Sequence, residues 1–67
     1  MEWIDIKDKE PEINVEVIVN ANYPGLRVGV LHFAELNEYR DWVDTATDEE
    51  LTINVTHWQP APETIDL

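Results

Sequence analysis

Along most of this chain hydrophobic and polar residues alternate at every second position, the signature of strands with one face turned inward. The clearest case is Val15-Glu16-Val17-Ile18-Val19-Asn20, which sets Val15, Val17 and Val19 on one face and Glu16 and Asn20 on the other. Its density of β-branched residues marks it as a strand. Ile18 interrupts the polar face, so part of that face is expected to be covered. Upstream, Glu2-Trp3-Ile4-Asp5-Ile6 sets Ile4 and Ile6 against Asp5 before Lys7-Asp8-Lys9-Glu10-Pro11 ends the pattern, which predicts a first edge strand or an extended arm. Downstream, Asn22-Tyr23-Pro24-Gly25 predicts a hairpin, with proline and glycine at the central positions of a type II turn and Gly25 taking the positive φ.

The returning strand is read as Leu26-Arg27-Val28-Gly29-Val30-Leu31-His32-Phe33. It is apolar on both faces past its middle, which places it inside a sheet, and Gly29 marks a bulge or bend. The next residues, 34–38, are polar and give no assignment. Tyr39-Arg40-Asp41-Trp42-Val43 predicts a fourth strand, with Arg40 and Trp42 on one face and Tyr39 and Val43 on the other. Residues 44–50 have no aliphatic side chain larger than Ala46 and read as a mobile acidic loop. The capping-box spacing of Thr47 and Glu50 offers one helical turn as the alternative.

Leu51-Thr52-Ile53-Asn54-Val55-Thr56 restores alternation with Leu51, Ile53 and Val55 inward. Continued, that period would turn His57 in and Trp58 out. Either His57 is buried and hydrogen-bonded, or a local irregularity brings Trp58 into the core. Pro60 and Pro62 then end regular pairing. The chain is thus expected to be a single mainly β domain over residues 1–67: a small antiparallel sheet or partly open barrel of four to five strands, with at most one short helical turn. The expected core is Trp3, Val17, Val19, Val28, Val30, Ile53, Val55 and Trp58, with Trp58 free to pack on Trp3 or Trp42.

Composition narrows the function classes. A chain of 67 residues supports one small core, with stability on the order of 3–10 kcal/mol. It holds no cysteine, so neither a disulfide framework nor a thiolate zinc site reinforces it. The longest aliphatic run, Val17-Ile18-Val19, is too short for a membrane span or signal-peptide core, and a cytoplasmic location is the expectation. Fifteen Asp and Glu against four Lys and Arg give a formal charge of -11. Direct nucleic-acid binding is disfavoured, because that affinity comes from cations displacing counterions on phosphate. A basic partner is the natural complement, although an acidic surface also serves solubility alone.

Catalytic vocabulary is sparse. The chain has no Cys and no Ser, and its two glycines form no phosphate-binding loop. Carboxylate pairs are guaranteed by abundance and so carry no information about acid–base chemistry. His32 and His57 recur at no ligand spacing, so no metal or cofactor is expected; a small-ligand or metal site built on both is the alternative. Tyr23 lies in a predicted turn where no core demands it, which makes it the preferred exposed anchor for a partner.

Trp3-Ile4 with Ile6, Lys7, Asp8 and Pro11-Glu12, then Val17-Ile18-Val19, Val28-Gly29, an isolated Trp42, and finally Val55-Thr56-His57-Trp58 with Pro60 and Pro62 resemble the small phage and prophage proteins of the domain of unknown function 551 family. The likeness covers nearly the whole chain, and the terminal Val-Thr-His-Trp-x-Pro-x-Pro pattern is its most specific part. Glu10 departs from the apolar residue usual before the proline, as do Gln59 and Ala61 from the usual Met and Leu. The resemblance implies a phage or prophage origin and a compact β-rich domain, and it transfers no catalytic residue.

These readings converge on a non-enzymatic accessory protein that binds a basic protein of the bacterial host through an acidic surface. In its sharper form, the protein inhibits a nucleic-acid-binding defence protein by mimicking the phosphate backbone. The expected contact residues are Asp44, Asp48, Glu49 and Glu50, with Tyr23 or Trp42 as apolar anchor. A self-assembling structural or virion component, joined through an unpaired strand edge, is the third class.

Overall fold

β-Branched and aromatic residues at alternate positions build one antiparallel sheet in the computed structural model, which describes residues 2–52 and 54–62. Its strands are β1 (Ile4–Asp5), β2 (Val17–Asn22), β3 (Val30–Leu36), β4 (Trp42–Asp44), β5 (Glu49–Glu50) and β6 (Asn54–Pro60). They lie in the order β1-β6-β2-β3-β4-β5 and the sheet is open. This is six strands rather than the expected four to five: β1 falls within the edge strand expected over Glu2–Ile6, and the addition is β5, whose two residues are too short to leave a periodic signal. Among the described residues there is no helix, and hence none long and apolar enough to cross a membrane.

Pairing register assigns the faces, because residues directly opposite one another point the same way. Val17 opposes Ala34, Val19 opposes both His32 and Trp58, and Ala21 opposes Val30 and Val55. These positions form the inner face, where Val17, Val19, Ala34, Val55 and Trp58 make the core and Ile4, Ile6, Trp42 and Leu51 pack against it. The opposite, outer face carries Ile18 paired with Phe33 and Gln59, and Asn20 paired with Leu31 and His57.

The irregularity expected near Trp58 is a β-bulge. Ala21 pairs with Val55 while the adjacent Asn20 pairs with His57, so Thr56 is the extra residue in β6. One inserted residue shifts the two-residue period, and Val55 and Trp58 therefore both face inward while His57 faces out. Residues 6–16 then cross the inner face as a strap. Ile6 N–H bonds to Thr56 O (3.0 Å), Trp58 Nε1–H to Lys9 O (2.7 Å) and Asn14 N–H to Leu36 O (2.8 Å), and Pro11 is buried.

Several expectations need correction. The returning strand begins at Val30, not Leu26: the Tyr23–Leu26 turn forms as predicted, with Leu26 N–H on Tyr23 O and Gly25 at φ 85°, but the chain runs on as a loop. Val28 lies in that loop at 74% exposure and is not core. Trp3 is 40% exposed, because it precedes Ile4 and so falls on the outer face. Val30 is half-buried at the start of β3, and Ile53 lies outside the described residues. The unassigned polar stretch supplies Ala34 and Leu36, both fully buried. Tyr39 and Arg40 belong to a turn rather than a strand: Asn37 Oδ1 accepts N–H bonds from Tyr39 and Asp41, and Arg40 adopts φ 69°. Residues 44–50 are a hairpin. The amide of Asp48 closes back on Asp44 O at 2.7 Å, and it is Asp44, not Thr47, whose side chain caps the turn.

Candidate functional site

Exposed acidic residues lie on the strap and on the β3–β4–β5 side. Glu10, Glu12 and Glu16 project from the strap; Glu38 and Asp41 lie in the β3–β4 turn; Asp48, Glu49 and Glu50 follow in the β4–β5 hairpin. All are exposed. Two contacts bring these segments together: Arg40 donates to Glu10, and the Thr45 hydroxyl donates to Glu16. Among the described residues, Arg40–Glu10 joins a Lys or Arg to a carboxylate, and the other acids of this belt have no such partner. A groove of about 340 Å³ borders the belt, with Pro11, Val15, Val17, Trp58 and Pro60 as apolar lining and Glu10, Glu12, Glu16 and Lys9 as its charged groups.

The expected contact residues divide. Asp48, Glu49 and Glu50 are exposed in the belt, but Asp44 is not a loop acid, being only 9% exposed on the inner face opposite Ala34. Its Oδ1 accepts N–H bonds from Ala46 (2.8 Å) and Thr47 (3.2 Å), and its Oδ2 lies 3.0 Å from His32 Nδ1. The Ala46 amide, reinforced by the His32 side chain, holds the Asp44 carboxyl below the ordinary aspartate range. Trp42 packs half-buried on the core rather than standing out as an anchor.

Tyr23 is likewise no free anchor. The inner-face alternation of Val17, Val19 and Ala21 continues to Tyr23, whose hydroxyl meets His32 Nε2 at 2.8 Å. An ionised Asp44 only accepts, so His32 Nδ1 carries a proton and donates to it, and in the neutral ring Nε2 accepts from Tyr23. This carboxylate–imidazole–phenol row has the order of an oriented base and nucleophile, and the groove beside the strap does not reach it. Its evident work is to tie the β2–β3 turn to the β4–β5 hairpin. Sequence reading missed the row, although the period of β2 and the paired Ala34 and Leu36 positions of β3 contained the signal.

His57 stands on the outer face, so the two histidines do not converge and the expected alternative of a shared ligand or metal site is corrected: their partners on β2, Val19 and Asn20, are adjacent and point oppositely. His57 Nδ1 lies 2.9 Å from Thr56 Oγ1, and its Nε2 lies 3.9 Å from Asp5 Oδ2. Asn20 Nδ2–H donates to the same Thr56 hydroxyl at 3.0 Å. Among the described residues no group of three or more His, Cys, Asp and Glu side chains is placed to hold a metal ion.

The outer face is also apolar. Leu31 is 60% and Phe33 48% exposed, Ile18 and Val43 are half-buried, and Trp3 stands on the same face over β6. Glu35 and Glu50 both oppose Val43, one from each side. No curated protein and no solved structure matches this chain. Residues 2–64 match the family model described as protein of unknown function (DUF551), and by that match the chain belongs to the DUF551 family.

Proposed function

We propose that the protein is a non-enzymatic binding module that docks a basic partner protein through the acidic belt formed by the strap and the β4–β5 hairpin. The observation that carries this reading is the set of exposed carboxylates on three segments that two contacts tie together, Glu10 being the one paired with an arginine among the described residues. Fields from such a cluster sum, accelerate encounter with a cationic surface and repel anionic ones. The apolar groove beside the belt suits the aliphatic stem of a lysine or arginine whose charged head stays among the glutamates. In a phage or prophage setting, the partner class that fits is a nucleic-acid-binding host protein whose basic channel the belt would occupy in place of phosphate.

The test is capture of proteins from a bacterial lysate at rising salt. Basic proteins should be retained at low ionic strength and released as screening shortens to a few ångströms near molar salt. Acidic captured proteins, or retention indifferent to salt, would overturn the proposal.

A further inference from the structure

An open antiparallel sheet facing water ordinarily alternates apolar residues inward with polar residues outward. Here the outer face breaks that rule. The opposed pair Ile18 and Phe33 sits at its centre, with Leu31 beside it on β3 and Val43 beyond on β4. The side chains of Leu31 and Phe33 remain 60% and 48% exposed, so this apolar strip is open to a partner. This strip adjoins the belt through the β4–β5 hairpin: Val43 is bracketed on the outer face by Glu35 and Glu50.

We infer that this outer strip is a docking surface for a basic polypeptide segment whose apolar side chains cover Ile18, Leu31, Phe33 and Val43 while its lysines or arginines meet Glu35 and Glu50. The inference rests on the proposed function and adds the surface and the pattern the partner must present. Charge selects this occupant over a second copy of the chain. Self-association would bring together two molecules of formal charge -11, each with Glu35 and Glu50 flanking Val43 at one end of the strip. A cationic amphipathic segment neutralises that rim instead. Addition of a strand at the sheet edge is also disfavoured, since the edge strands are two residues long and β5 consists of Glu49 and Glu50.

The test uses two synthetic peptides of equal length and charge, one alternating lysine with leucine and one alternating lysine with serine. Their binding to the whole protein and to the double variant Leu31→Ser, Phe33→Thr is followed by fluorescence anisotropy. Threonine retains strand propensity at position 33, and Leu31→Ser alone serves if the double variant melts early. The lysine–leucine peptide should bind about tenfold or more tightly than its serine counterpart, and the variant should abolish that preference while leaving lysine–serine binding unchanged. Equal binding of both peptides to the native protein, or a preference that survives the variant, overturns the docking strip and leaves the acidic belt standing. Binding of neither peptide overturns both. A concentration-dependent dimer in sedimentation that the variant abolishes would assign the strip to a second copy and overturn the proposed occupant.

Discussion

Gly29 offers a sharp test of how the outer face is built. It precedes β3, and a Cβ placed there would lie 2.5 Å from Asn20 Cγ and 2.6 Å from Asn20 Nδ2, with Oδ1 nearer still. The Asn20 amide occupies the space a side chain at position 29 would need, and it is held there by its bond to Thr56 Oγ1 at 3.0 Å. Gly29→Ala must therefore expel Asn20. That forfeits a hydrogen bond worth about 1 kcal/mol and forces a displaced rotamer costing about 1 kcal/mol. The lost backbone entropy of the unfolded glycine returns about 0.4–1 kcal/mol. The net is a destabilisation of about 1 kcal/mol, read as a fall in Tm of about 4–8 °C for a domain of this size. In an Asn20→Ala background the obstruction is gone, and the same Gly29→Ala change should be neutral or stabilising by about 0.4–1 kcal/mol. Thermal unfolding of the native protein, both single variants and the double variant completes a double-mutant cycle with an expected coupling of about 2 kcal/mol. If the two changes are additive, the packing of Asn20 against Gly29 is not what position 29 requires.

Two further outcomes follow from the inner face and the strap. Because Asp44 has its carboxyl lowered in the folded state, chiefly by the Ala46 amide, its contribution to stability is fully present above the ordinary aspartate value and is lost as pH falls through the lowered value. The stability difference between the native protein and Asp44→Asn, from denaturant melts at stepped pH, should therefore shrink in that acid window; a difference independent of pH there would contradict the assignment. Trp58→Phe keeps most of the buried ring but removes the donor to Lys9 O, so it should cost about 1 kcal/mol and speed amide hydrogen exchange across residues 6–16 ahead of the sheet. Uniform acceleration through β2 and β3 would show that the strap has no separate opening.

The sequence made the central strand, the Pro24–Gly25 turn and the end of the last strand legible because each rests on local chemistry: β-branched alternation, a positive φ and proline. Trp3 and Val28 were misplaced for a different reason. Which face a residue occupies depends on the exact phase of pairing, and neither the delayed start of β3 nor the position of Trp3 before a two-residue strand is written in hydrophobicity. Asp44 looked like one acid among many in a loop. Only pairing with Ala34 and the proximity of His32 distinguish it, and both are products of register across strands. The acidic belt was legible as charge but not as a place, since the strap acids reach the β4–β5 hairpin by crossing the sheet.

The position of β6 between β1 and β2 bears on how the chain reaches this state. The hairpin of β2 and β3 can zip locally within microseconds. Among the described residues β1 has no neighbour but β6, and the Trp58 to Lys9 bond joins residues 49 positions apart. Such remote pairings carry a loop-closure penalty before they return any gain, which places folding among the slower, millisecond-to-second domains. During synthesis the amino-terminal arm must wait, undocked, until the last strand slots in beside it. A nascent chain that has released β2 to β5 but not β6 would thus present the open edge of β2, which β6 covers in the finished sheet.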